Sequence, residues 1–207
     1  MSPLSTVTAG DLQHFEDQGY VVVRNLLDPD RHFSPVVKEY EELLDGLVDQ
    51  WSVDGHLQDK RIGLPFPERL LQTVVEARQP YDLAMDISLP QASITDATPM
   101  HHGPAVFDLL RTPELLDAVE AFVGPEIYSN PVQHTRIKLP EAALPEEAWT
   151  GLTARIDWHQ DLGVITDDAD TCLLLTVWIP FTPADAENGC LAVVPGSHRR
   201  ELVTHCT

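Results

Sequence analysis

The spacing of apolar residues changes character near Gly124, and that change restricts the chain to folds in which helices come first and strands follow. Ahead of it, Thr8 and Asp11 have the three-residue separation of a capping box, and Leu12 with Phe15 gives a short helical face stopping at Gly19. Residues 20–24 (YVVVR) read as a strand. From Pro29 to Val48 the residues Val36, Val37, Tyr40, Leu43, Leu44 and Leu47 recur at helical spacing, so a long amphipathic helix is predicted there. Residues 49–66 hold Trp51, Gly55, Gly63 and Pro65 and read as loop. A further helix is predicted over 67–78, the stretch 80–99 is ambiguous, and Thr112-Pro113-Glu114 starts a helix that ends at Gly124.

Beyond Gly124, residues 127–139 read as one or two strands, 140–150 as an acidic, proline-containing insertion, 172–181 (CLLLTVWIPF) as a β-branched and aromatic strand, and 189–194 as a short strand. Asn188-Gly189 and the PGSH run at 195–198 read as turns. The expected fold class is α+β or mainly β, with helices over an antiparallel sheet. The whole of 1–207 is expected to be a single domain: a helix-rich covering region over 1–124 and the sheet core from 125 to 207.

Composition narrows the partners. Thirty-three Asp plus Glu against 13 Lys plus Arg give a formal net charge of −20, which repels phosphate backbones and anionic lipid surfaces, so nucleic acid and membranes are not expected partners. No run reaches 18 apolar residues, and the N-terminus lacks the basic-then-apolar order of a secretory signal. Cys172, Cys190 and Cys206 show no CxxC spacing and read as reduced thiols in a cytoplasmic protein.

One short motif carries chemistry. His159-x-Asp161 places an imidazole and a carboxylate two residues apart, on one side of an extended segment, where both can meet one metal ion. They would be two of the three ligands of a 2-His-1-carboxylate facial triad. By the same parity Trp158 is expected to pack into the core or against a covering helix, and Gln160 to orient its surroundings. His134 is expected in a hydrogen-bonded packing role and His198 in a structural one; His101 and His102 are candidates for a cavity wall, and His14, His32 and His56 are read as ordinary residues.

WHQD at 158–161, TVWIPF at 176–181, ENGCLAVVPGSHRR at 187–200 and the early FEDQGYVVVRNLLDPD at 15–30 together resemble the phytanoyl-CoA dioxygenase family. The resemblance implies a double-stranded β-helix (jelly roll, cupin-like) and a hydroxylase dependent on iron(II), 2-oxoglutarate and O2. Such an enzyme attacks an aliphatic C–H bond of a small-molecule substrate and releases succinate and CO2. It assigns His159 and Asp161 as metal ligands and sets Gln133 and Arg136 beside the 2-oxoglutarate pocket. With Asp161 present, hydroxylation is favoured over halogenation.

The family's second histidine ligand and its oxoglutarate-binding arginine come from strands beyond the PGSH turn. After Asp161 this chain has only His198 and His205, and neither fits that position. Three expectations remain open: a fragment lacking its last strands, a barrel completed by self-association or a partner chain, and a degenerate, noncatalytic relative that binds metal or a small ligand. A serine hydrolase reading of Gly196-Ser197-His198 lacks the G-x-S-x-G frame.

Overall fold

A computed structural model describes residues 5–88, 94–96, 98, 100–130, 133–150, 156–164, 173–186 and 189–203. The regular helices are α1 (Ala9–Gln18), α2 (Ser34–Val53), α3 (Phe66–Ala77), α4 (Asp82–Met85), α5 (Pro104–Leu110) and α6 (Pro113–Val123). The chain divides into two compact units. Unit 1 comprises Met1–Pro29, Leu110–Tyr128 and Ile156–Thr207, and unit 2 comprises Asp30–Leu109 and Ser129–Arg155.

Unit 2 is built on α2. A π-helical turn, Pro29–Phe33, leads into it, and it runs one turn further than the sequence suggests, to Val53. The added turn puts Trp51, expected in a loop, on the buried face with Val36, Tyr40, Leu44 and Val48. These five recur every three or four residues, so they form one stripe. The stripe packs on α3, whose Leu70, Val74 and Ala77 are also buried. Arg69 of α3, only 8% exposed, reaches Asp45 of α2 at 2.7 Å and donates to the Lys60 carbonyl at 3.0 Å. A buried guanidinium is tolerated because it is paired in this way.

Residues 133–139 of unit 2 belong to no regular element and are pinned by the Tyr81 hydroxyl, which donates to the Ile137 carbonyl at 2.8 Å. The acidic insertion folds into two 3-10 turns, Glu141–Ala143 and Glu146–Ala148, with Ala148 fully buried and Glu147 paired to Arg78 at 2.8 Å.

In unit 1, α1 has the predicted capping box: Asp11 N–H donates to Thr8 Oγ1 at 3.2 Å, and Thr8 N–H to Asp11 Oδ2 at 2.9 Å. The Thr8 hydroxyl, which donates to Asp11 Oδ2 at 2.7 Å, and after it the Thr8 N–H hold the Asp11 carboxyl below the usual carboxylate range. The helix ends at Gly19 in the left-handed region, φ 80°. Phe15 of α1 meets Phe122 of α6 edge to face, ring centroids 4.9 Å apart. Thr112 occupies the N-cap of α6 with extended backbone, but its side chain does not make the capping bond expected of it.

The PGSH run is a turn, as predicted, with Gly196 at φ 74° and a 3-10 turn over Ser197–Arg199. It closes on the end of α1. Gly196 N–H donates to the Gln18 carbonyl at 2.8 Å, and His198 Nε2–H to the Glu16 carbonyl at 2.9 Å. A Cβ at Gly19 would lie 2.3 Å from His198 Nδ1, so glycine is required there by space as well as by φ.

The expected α+β jelly roll is overturned. Among the described residues every regular element is helical, and those falling in 20–24, 127–139, 172–181 and 189–194 belong to no strand. Residue 172, Asn188 and residues 131–132 lie outside the described set. β-Branched composition sets only a local preference for extended backbone, whereas a strand exists once a second backbone supplies its ladder of hydrogen bonds. No helix among the described residues is long and apolar enough to cross a membrane.

Candidate functional site

Asp161 opens a short 3-10 turn, Asp161–Val164, two residues after His159, which belongs to no regular element. The two side chains are brought together, with His159 Nε2 3.1 Å from Asp161 Oδ1. The Nδ1–H of His159 donates to the Asp157 carbonyl at 2.8 Å, and Asp161 Oδ2 accepts from the Thr176 hydroxyl. Both are more than two-fifths exposed. Trp158, expected to pack into the core or against a covering helix, is 64% exposed. Gln160 does orient its surroundings, its Oε1 accepting Val203 N–H at 2.8 Å.

Gln133 and Arg136 belong to the other unit. The Gln133 amide donates to Ser129 Oγ at 2.7 Å and to the Asn130 carbonyl at 3.0 Å, and Arg136 is exposed. Its charge adds to the effect of burial in pulling the Lys138 ammonium below its ordinary range. His205, Cys172 and Cys206 lie outside the described residues, and Cys190 is a free thiol.

A denser polar cluster lies in unit 2. His101 Nε2–H donates to Glu39 Oε1 at 2.9 Å, and the second oxygen of Glu39 accepts Ala105 N–H at 2.6 Å. His134 Nδ1–H donates to Asp86 Oδ2 at 2.7 Å, while Asp86 Oδ1 accepts Thr135 N–H at 3.0 Å. Tyr40 joins the two pairs. Its hydroxyl donates to the Met85 carbonyl at 2.8 Å, and its ring meets His101 edge to face at 5.3 Å. Burial pushes the Tyr40 phenol up to about 12, with Asp86 and Glu39 adding to the shift and a hydrogen bond with Thr135 opposing it.

His101 also lines an open groove of about 500 Å³ along α2 and α5, with Lys38, Glu39, Glu42, Leu43 and Asp108 among its walls. Three carboxylates face one ammonium there, and Lys38 stands 3.9 Å from Glu42. Sequence reasoning singled out both histidines but missed Glu39, Tyr40 and Asp86. Glu39 looks like any acidic residue on a helix, and Asp86 falls in the stretch that had no clear periodicity.

The phytanoyl-CoA dioxygenase (PhyH) family profile matches residues 15–207. The peroxisomal phytanoyl-CoA dioxygenase of Homo sapiens is 25% identical over 203 residues, covering 97% of this chain and 50% of the relative. A probable phytanoyl-CoA dioxygenase of Caenorhabditis elegans is 22% identical over 204 residues, covering 97% of this chain and 56% of the relative. The chain spans about half the length of the curated relatives it matches. No solved structure matches it significantly.

The likeness in sequence therefore stands, and the jelly roll and enzymatic properties it implied do not follow with it. Among the described residues no group of three or more His, Cys, Asp or Glu could hold a metal ion. His159 and Asp161 offer two donors where an iron site of this kind needs a third and open positions beyond it. The described residues do not fit an iron(II) and 2-oxoglutarate centre, and the expectation of a dioxygenase with these cofactors is corrected accordingly.

Proposed function

This chain belongs to the phytanoyl-CoA dioxygenase family, and from that premise we propose that it is a noncatalytic member that binds a small organic ligand without turnover. The observation that carries this reading is the groove along α2 and α5, whose floor is set before any ligand arrives. Glu39 is held by His101 and Ala105 N–H, so the floor loses little freedom when a ligand binds. The surplus of carboxylates in its walls favours a ligand rich in hydrogen-bond donors, such as a small organic cation. On this reading His159 and Asp161 are a hydrogen-bonded pair that shapes their loop, and the free Cys190 thiol suits a reducing, cytoplasmic setting.

Two measurements test it. Saturation-transfer NMR with short alkylamines and the matching carboxylates should show the amines binding, with signals reduced by Glu42→Gln and Asp108→Asn at the rim. Stronger signals from the carboxylates, or none from either series, would remove the groove as the site. Anaerobic titration with iron(II) and 2-oxoglutarate should produce no visible charge-transfer band, and a saturable band near one equivalent would overturn the noncatalytic reading.

A further inference from the structure

A second cavity in unit 2, of about 260 Å³, is lined by residues of α2, of the loop before α3 and of the start of α3. It is smaller than the roughly 300–1,000 Å³ of pockets that take drug-sized ligands, so it suits a molecule of few atoms. Arg69 lines it and is only 8% exposed. Its Nε–H and one amino group are taken by the Lys60 carbonyl and by Asp45 Oδ1. The other amino group has no hydrogen-bond partner among the described residues and is not sealed from solvent, so its donors are open to a ligand in the cavity. A carboxylate is the group that a guanidinium holds best. Phe66, in the first turn of α3, lines the same cavity, and that turn has no side-chain cap. The partial positive charge of the helix end adds to the preference for an anionic group.

The α2 side of the cavity is acidic. Glu41 and Asp45 stand one turn apart on α2, both exposed and both lining the cavity. Like charges at this spacing repel, and an ammonium between them relieves the repulsion. A simple anion would meet these carboxylates and a simple cation would meet Arg69, so a ligand carrying both charges fits better than either. The remaining wall is apolar, from Ile62, Leu64 and Phe66, and Ile62 is 83% exposed until something covers it. An apolar side chain on the ligand would do so. The loop carrying Ile62 is set beforehand. Leu64 N–H donates to the Arg61 carbonyl at 3.3 Å, and the Arg61 guanidinium is tied to Asp59 and Glu76 at 2.7 and 2.9 Å. Little freedom is lost there on binding.

We propose that this cavity binds a free α-amino acid with an apolar side chain, its carboxylate on Arg69 and its ammonium between Glu41 and Asp45. The site is separate from the groove along α2 and α5, with which it shares no lining residue among those described.

Amide NMR of the full 207-residue chain titrated with L-leucine tests this. The expected result is saturable shifts centred on residues 62–69 together with Glu41 and Asp45. Leucinamide lacks the carboxylate and N-acetylleucine lacks the ammonium. Each should bind about tenfold or more weakly, the worth of one charge-assisted hydrogen bond. Glu41→Gln alters an exposed side chain, so the fold is kept, and it should weaken leucine about two- to fivefold. No saturable shift from leucine, shifts centred on Glu39 and His101 instead, equal binding of leucine and either blocked form, or indifference to Glu41→Gln would each overturn the proposal.

Discussion

The two units treat the same kinds of residue in opposite ways. Trp51 in unit 2 is 6% exposed on the inner face of α2, whereas Trp158 in unit 1 is 64% exposed beside the His159–Asp161 pair. Unit 2 buries a continuous set of apolar side chains from α2, α3, Tyr81 and Met85, while among the described residues of unit 1 only Leu115 and Ala118 join the buried apolar set. The difference follows from how each unit gathers its core. An amphipathic helix carries its apolar stripe ready-made and needs only one neighbour, but extended segments bury theirs only when other extended segments meet them.

The sharpest way to break this contrast is to truncate the two tryptophans. Trp51→Ala should cost about 3–5 kcal/mol and Trp158→Ala about 0.5 kcal/mol or less, read from urea unfolding. Equal losses would mean that unit 1 has a core of its own around Trp158.

Alkali acts on unit 2 through its buried phenols. Burial pushes both Tyr40 and Tyr81 up to about 12, the nearby carboxylates adding to the shift. Unfolded tyrosine ionises near pH 10, so the folded state's advantage is complete below about pH 10 and is lost as pH rises toward 12. The loss should reach about 2–3 kcal/mol per phenol at most. Tyr40→Phe should flatten part of that fall, and an unchanged profile would show that the phenol is already solvated.

Carboxylates divide the units in the same manner. Asp86, 3% exposed, accepts from His134 and from Thr135 N–H, so Asp86→Ala strands two donors and should cost about 1–3 kcal/mol. Asp161→Ala, in a half-exposed pair, should cost about 1 kcal/mol or less. Thermal unfolding of both variants checks the ranking, and reversal would place the firmer polar network in unit 1.

The clasp on α1 is the exception that sharpens the comparison, since here unit 1 is tightly specified. Gly19→Ala should destabilise by about 1–2 kcal/mol through its positive φ and its collision with His198. Adding His198→Ala should recover part of the loss in a double-mutant cycle, and strict additivity would rule out the contact. The smallest effect expected is at the caps: Thr8→Ala should cost about 1 kcal/mol and Thr112→Ala a few tenths, as measured by denaturant midpoint.

Legibility in the sequence tracked distance along the chain. The capping box at Thr8, the stop at Gly19, α3, α6 and the PGSH turn were each readable because the groups involved lie within a few residues of one another. His159 and Asp161 were legible as a pair for the same reason. The helical spacing of α2 was also visible, though its end was not: Gly55 and Pro65 suggested an early loop, while burial of Trp51 against the rest of the core extends the helix to Val53. The strands over 20–24, 127–139, 172–181 and 189–194 rested on composition alone, and composition does not name the backbone that would pair with them.

By itself the sequence determined the family, through four motifs in order, and the placement of helices whose caps and stripes are local. Only the tertiary structure decided that Glu39 holds His101, that Asp86 holds His134, that Tyr40 sits between them, and that His198 closes the end of α1. It also decided that Trp158 faces solvent and that the segments expected as strands stay out of any sheet among the described residues. The physical reason is that a cap or a helical face is satisfied within one turn of chain. A buried ion pair, a clasp or a strand ladder is satisfied only by residues far away in sequence, whose meeting depends on how everything between them has folded.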